Sequence, residues 1–197
     1  MTPYSALALQ MDCSAINALP DRGSVDDAIS KTLDHVDKSI AGSKAFIGTF
    51  SGDTLKLVVL PEYFLTSFPM GESIAEWRTK ACIEMDGAEY QRMGEIAKTR
   101  GVYLSGNAYE LDPHFPDLYF QTSFIINDMG EVILRYRRLI SMFAPTPTMS
   151  SRSTLRFTAP TRSSQWWKHL WVGWPAWHQK RYSTRKSHGH WPHAAQK

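Results

Sequence analysis

The chain has 197 residues, of which 43% are hydrophobic and 21% charged, with 22 Lys+Arg against 19 Asp+Glu for a formal net charge of +3. That length buries a substantial core, and the composition excludes a globally disordered chain. No apolar run is long enough to span a membrane, residues 1–10 lack the basic start and apolar stretch of a signal peptide, and Cys13 and Cys82 are too few for a disulfide framework, so the default expectation is a reducing, cytoplasmic setting.

Residues 5–11 (SALALQM) are short and apolar, which suits a buried strand. Ser24 then opens a helix, with Asp27 three positions on as an acidic first-turn partner. Val25, Ile29, Leu33, Val36 and Ile40 follow at spacings of three and four, so that helix has one apolar face. Residues 55–60 (LKLVVL) end at Pro61 and read as a second buried strand. Cys82 is placed in a helix. Residues 89–99 form a further helix with Tyr90, Met93, Ile96 and Ala97 on one side, stopped by Gly101, where a left-handed backbone is tolerated without a Cβ. Strands are predicted over 102–111, 120–126 and 132–136, the last two joined by an Asn127-Asp128-Met129-Gly130 turn. Strands alternating with helices argue for an α/β layered domain over residues 1–145.

Two features of this part carry chemistry. Glu62 follows the second strand directly, in Val58-Val59-Leu60-Pro61-Glu62-Tyr63. The carboxyl end of a sheet strand is where α/β folds place reacting groups, and a carboxylate leaving apolar surroundings suits a general base. A strand-end acid also serves simply to cap the next turn. Arg135-Tyr136-Arg137-Arg138 closes the last strand and sets cations at a strand end. One of them near Glu62 would hold the carboxylate and stabilise a developing oxyanion. The same run could equally be a solvated sheet edge.

After Glu131 the chain changes character. Residues 146–197 hold nine Lys/Arg, no acid, six of the seven Trp and five of the seven His, a balance of +9 against −6 for residues 1–145. This segment is expected to be irregular and disordered. Trp167, Trp171, Trp174 and Trp177 recur at helical spacing among basic residues, which would suit nucleic acid or an anionic membrane surface, but Pro175 interrupts the helix. His188, His190 and His193 lack an accompanying acid or thiol, so no metal site is expected.

The ordered set Leu57-Val58-Val59-Leu60-Pro61-Glu62-Tyr63, Gly106-Asn107-Ala108-Tyr109-Glu110, the Asn127–Gly130 turn and Tyr136-Arg137-Arg138 resembles the nitrilase superfamily of carbon–nitrogen hydrolases. The resemblance covers about residues 5–147, roughly the first half of such a domain. It implies a nitrilase-like α-β-β-α sandwich, incomplete here, with a Glu-Lys-Cys catalytic group acting on amides, nitriles or carbamoyl compounds. It also implies no cofactor, a small amide or nitrile partner rather than a nucleic acid or membrane, and room for a homo-oligomer. Glu62 matches the general base, and Arg138 stands where the family has its lysine.

The chain departs from the pattern twice. Arginine keeps the charge of lysine but is bulkier, forked and reluctant to release a proton. No cysteine follows Cys82, and neither Cys13 nor Cys82 occupies the nucleophile's place, so the thiolate chemistry is expected to be absent. A shifted reading frame accounts for the foreign segment. Joining the last base of each codon to the first two of the next forces valine from Trp166/Trp167, glutamate from Trp167/Lys168, glycine from Trp171/Val172, alanine from Trp174/Pro175 and Trp177/His178, and leucine then alanine around Trp191. That series resembles the family's sequence around its nucleophile. The position matching the nucleophile falls across His178 and Gln179, where only proline or serine is permitted. The expectation is a truncated, frameshifted and inactive family member. The competing expectation is a binding protein that uses the basic, Trp-rich segment.

Overall fold

The computed structural model describes residues 4–138. Everything expected of 146–197 lies outside them. Five strands in the order β1-β2-β4-β5-β6 and a short β3 alongside β4 form one mixed sheet with three helices. The mixed α/β class is thus as expected, and the described residues supply one helix layer and one sheet layer of a nitrilase-like fold.

Strand β1 (Ser5–Ala8) pairs parallel with β2 (Leu55–Val59), which pairs parallel with β4 (Tyr103–Leu111). Strand β1 is three residues shorter than expected. Leu9 N still donates to Val59 O at 2.9 Å, and Leu60 N to Ser105 O at 2.8 Å. Pro61 then ends β2, because it has no N–H to extend the ladder. Strand β4 continues antiparallel into β5 (Phe120–Ile126) and β6 (Val132–Arg137), with Asn107 opposite Ser123 and Tyr109 opposite Gln121. The β5–β6 turn is held by the Asn127 side chain, whose Oδ1 accepts from Met129 N at 3.0 Å and Glu131 N at 2.8 Å.

Helix α1 (Arg22–Phe50) buries Val25, Ile29, Leu33, Val36 and Ile40, the stripe that its periodicity indicates. Its start differs from the expected capping pair. Asp21 is the N-cap and accepts from Ser24 N at 2.8 Å, so Ser24 sits inside the first turn. Helix α3 (Ala88–Arg100) ends at Gly101 with φ 62 and ψ 44, the left-handed stop expected of that glycine. Arg100 makes a forked pair with Asp37 at 2.7 and 2.8 Å, tying α3 to α1 and holding the Asp37 carboxyl below its usual range.

The helix expected around Cys82 lies just before it, and the short strand that follows was not expected. Helix α2 (Ile74–Ala81) carries a full capping box, Ser73 with Glu76, and leads into β3 (Ile83–Glu84). Only Trp77 and Ala81 of α2 are buried, so no apolar stripe announces the helix. Cys82 is not within the helix but is its C-cap, and it is buried.

The pleat divides the sheet. Val58, Leu104, Phe124 and Ile126 join the buried core with the helices. Val59 and Tyr103 point to the opposite face and are 42% and 37% exposed. The polar residues obey the same alternation. Arg135 and Arg137 turn to the helix side, where they pair with Glu110 at 3.3 Å and Asp112 at 2.6 Å, while Arg138 lies beyond the strand end.

Candidate active site

Strands β1, β2, β4 and β6 point their carboxyl ends the same way. Glu62 lies just past the end of β2, Tyr109 near the end of β4 and Arg138 just past the end of β6. Arg138 N donates to Gln121 O at 2.9 Å, which carries the β5–β6 ladder one step further and holds the arginine at the sheet's rim.

The predicted pair meets. The Arg138 guanidinium donates to Glu62 Oε1. The Gln121 side-chain amide donates to the same oxygen at 2.8 Å and to Asn107 Oδ1 at 3.2 Å. Two donors therefore converge on Oε1, and no described residue bonds Oε2. Glu62 keeps 49% of its side chain exposed and Arg138 keeps 38%, so the carboxylate occupies a half-open, hydrogen-bonded setting and not the apolar one expected of a strand end. The reason is the reverse turn at residues 62–66, which carries the acid off the strand and out to the rim.

Aromatic rings brace that turn. Tyr63 has φ 62, a left-handed conformation that is costly for a residue with a bulky side chain. The conformation stacks the Tyr63 ring on Tyr109, with centroids 5.9 Å apart, and sets its hydroxyl against Arg138. Trp77 and Tyr119 meet the Tyr109 ring edge-on at 5.7 and 5.3 Å. Burial, with Tyr63 and Tyr119 as neighbours, pushes the Tyr109 hydroxyl up, so it stays a neutral donor. Burial opposes the Arg138 charge, but Tyr63 and Glu62 outweigh it and raise that pKa.

In both cysteines the thiolate form is disfavoured. Cys82 is 1% exposed, and its Sγ lies 3.6 Å from Trp77 O; burial pushes the thiol far up. Cys13 is exposed and does reach the Glu62 turn, but its Sγ sits 3.9 Å from the main-chain oxygens of Met11 and Glu62. Partial burial and the Asp12 charge raise its pKa, which disfavours the nucleophilic form. Among the described residues, no cluster of three or more His, Cys, Asp or Glu could hold a metal ion. No described helix is long and apolar enough to cross a membrane.

Reading the sequence left Gln121 out of the site. The available signal was a carboxamide inside the strongly apolar strand 120–126. By alternation it faces away from Phe120 and Phe124 and toward Tyr109 and Asn107.

Three solved structures are similar to the chain. One is Saccharomyces cerevisiae Nit3, a member of branch 10 of the nitrilase superfamily, at 23% identity over 60% of this chain and 43% of that one, with a TM-score of 0.47. A carbon-nitrogen hydrolase from Helicobacter pylori G27 is 16% identical over 57% of this chain and 36% of that one, with a TM-score of 0.41. An N-terminal amidase with a Gln-Gly peptide is 18% identical over 63% of this chain and 26% of that one, with a TM-score of 0.43. The chain thus spans less than half the length of each of these proteins. The carbon-nitrogen hydrolase family model matches residues 17–171, which takes in both Glu62 and Arg138 and runs on past Pro145. On that match, the chain belongs to the carbon–nitrogen hydrolase family.

Proposed function

We propose that the rim of the sheet is a carbon–nitrogen hydrolase site for a small amide or nitrile, and that this chain binds such a compound without turning it over. The observation that carries the reading is the convergence of Arg138 and Gln121 on Glu62 Oε1 at the carboxyl ends of the strands. That geometry holds the carboxylate by one oxygen and leaves Oε2 to accept a hydrogen bond from an N–H or a water. Arg138, at the family's lysine position, supplies a fixed positive charge where negative charge would develop on the substrate carbonyl or nitrile. It does not trade protons readily.

Turnover in this family's manner needs a thiolate to form a covalent acyl intermediate. The sequence has no cysteine after Cys82, and the two it has are poorly suited to attack. Binding without cleavage follows. We take the acid-free segment from 146 onward as the product of a shifted frame. The family match extends into that segment to residue 171, so the coding DNA around Pro145–Met149 is the place to decide the matter.

The test is saturation-transfer NMR between the full chain and benzamide at neutral pH. Transfer is expected for the wild type and is expected to fall at least about tenfold in the Glu62→Ala, Arg138→Ala double variant, the scale of losing a charge-assisted contact pair. Undiminished transfer in the double variant would remove the site assignment. If salt-sensitive binding to nucleic acid or anionic lipid appeared instead, and vanished on deleting 146–197, the chain would be read as a binding protein.

A further inference from the structure

Gln121 is 2% exposed, lies on β5 opposite Tyr109, and hydrogen-bonds two polar side chains at the site. Its orientation follows from chemistry. A carboxylate paired with an arginine can only accept, so the group facing Glu62 Oε1 is the amide nitrogen. The same nitrogen donates to Asn107 Oδ1, which leaves the Asn107 Nδ2 donors turned away from Gln121. No described residue accepts from them. Gln121 Oε1, in turn, is buried without a partner among the described residues. A buried acceptor left unmatched costs stability, which sets Gln121 apart from a side chain whose polar groups are all satisfied by its own fold.

We infer that Gln121 is a positioning residue that sets two groups at once. It anchors Glu62 through Oε1 so that Oε2 faces the substrate, and it fixes the Asn107 carboxamide so that Nδ2 donates to the substrate's carbonyl or nitrile nitrogen. One residue thereby presents an acceptor and a donor to opposite ends of a C–N group. The role toward substrate rests on the functional reading above; the hydrogen-bonded chain Glu62–Gln121–Asn107 does not.

The experiment uses the full chain and has two readouts. In 1H–15N spectra, the Gln121 side-chain amide is identified by its loss in Gln121→Met. It is expected to exchange with solvent at least about tenfold more slowly than that of the exposed Gln10, and to lose that protection in Glu62→Ala. Benzamide binding is then followed between about pH 6 and pH 8. Wild-type binding is expected to stay flat. Gln121→Met is expected to bind about tenfold more weakly throughout, having lost two hydrogen bonds. Gln121→Glu sets a second carboxylate against Glu62, with only the Arg138 guanidinium between them and repulsion, so the pair gains negative charge as pH rises and its binding is expected to fall. A general loosening of the fold would not produce that pH dependence.

Exchange of the Gln121 amide at the rate of Gln10, or no response to Glu62→Ala, overturns the proposal. Equal binding by wild type and a folded Gln121→Met overturns it too. A protected, Glu62-dependent amide in a chain that binds no benzamide supports the hydrogen-bonded chain and sinks the functional reading instead.

Discussion

Arg135→Ala is expected to cost about 3–5 kcal/mol in denaturant unfolding, a large part of the roughly 5–15 kcal/mol that holds a domain together. Glu110 is 0% exposed on the helix side of β4. Its Oε1 accepts from the Tyr90 hydroxyl and faces Arg135 Nε at 3.3 Å, while Oε2 has no partner among the described residues. The guanidinium also lies 4.8 Å from the Tyr90 ring centroid. Removing the arginine leaves a carboxylate in the core with one neutral donor. The loss comes from that stranded charge, so the double variant Glu110→Leu, Arg135→Met is expected to recover much of the stability. An unchanged unfolding midpoint for Arg135→Ala would show that the pair carries no such weight. The cluster also sets an alkaline limit. Burial and the Glu110 charge push the Tyr90 hydroxyl above its ordinary value, so its contribution is complete below about pH 10 and declines as pH rises past the unfolded tyrosine pKa.

Gly94→Ala is expected to destabilise by about 1–3 kcal/mol, although alanine is the better helix former. A Cβ at Gly94 would lie 2.6 Å from Gly130 O, and one at Gly130 would lie 2.9 Å from Gly94 O. Main chain faces main chain there, so helix α3 and the β5–β6 turn can give way only by moving as whole elements. Gly42, in the exposed part of α1, meets nothing within 4 Å of its added Cβ. Gly42→Ala should therefore stabilise by up to about 1 kcal/mol. Opposite signs for one substitution in two helices are the check, read by thermal unfolding. The same sign at both positions would mean that the close approach is not felt.

These contacts mark where a sequence stops being informative. The α1 stripe, the Gly101 stop and the β4–β5–β6 meander were legible because periodicity and turn chemistry are local. The bounds of helix α2 were not, since two buried residues make no stripe and its capping box is the main local sign. The Gly94–Gly130 approach joins residues 36 positions apart and leaves no pattern in either segment. At the candidate site, the placing of Glu62 and a cation together was legible through their strand-end positions and the family motif. Which of three arginines would reach Glu62 was a matter of pleat alternation, which sends Arg135 and Arg137 to the helix side. Gln121 and the left-handed Tyr63 were missed because their roles arise only when β2, β4 and β5 are side by side.

We propose that Glu62 and Arg138, brought together at the rim of the sheet, are the base and the cation of a carbon–nitrogen hydrolase site, and that neither Cys13 nor Cys82 completes the reaction. Ammonia release from benzamide and propionamide by the full chain tests it most directly. The expected result is a rate equal to the uncatalysed background for wild type and Glu62→Gln alike. Release above background by the wild type, abolished by Glu62→Gln, would contradict the claim and require a nucleophile other than a family cysteine.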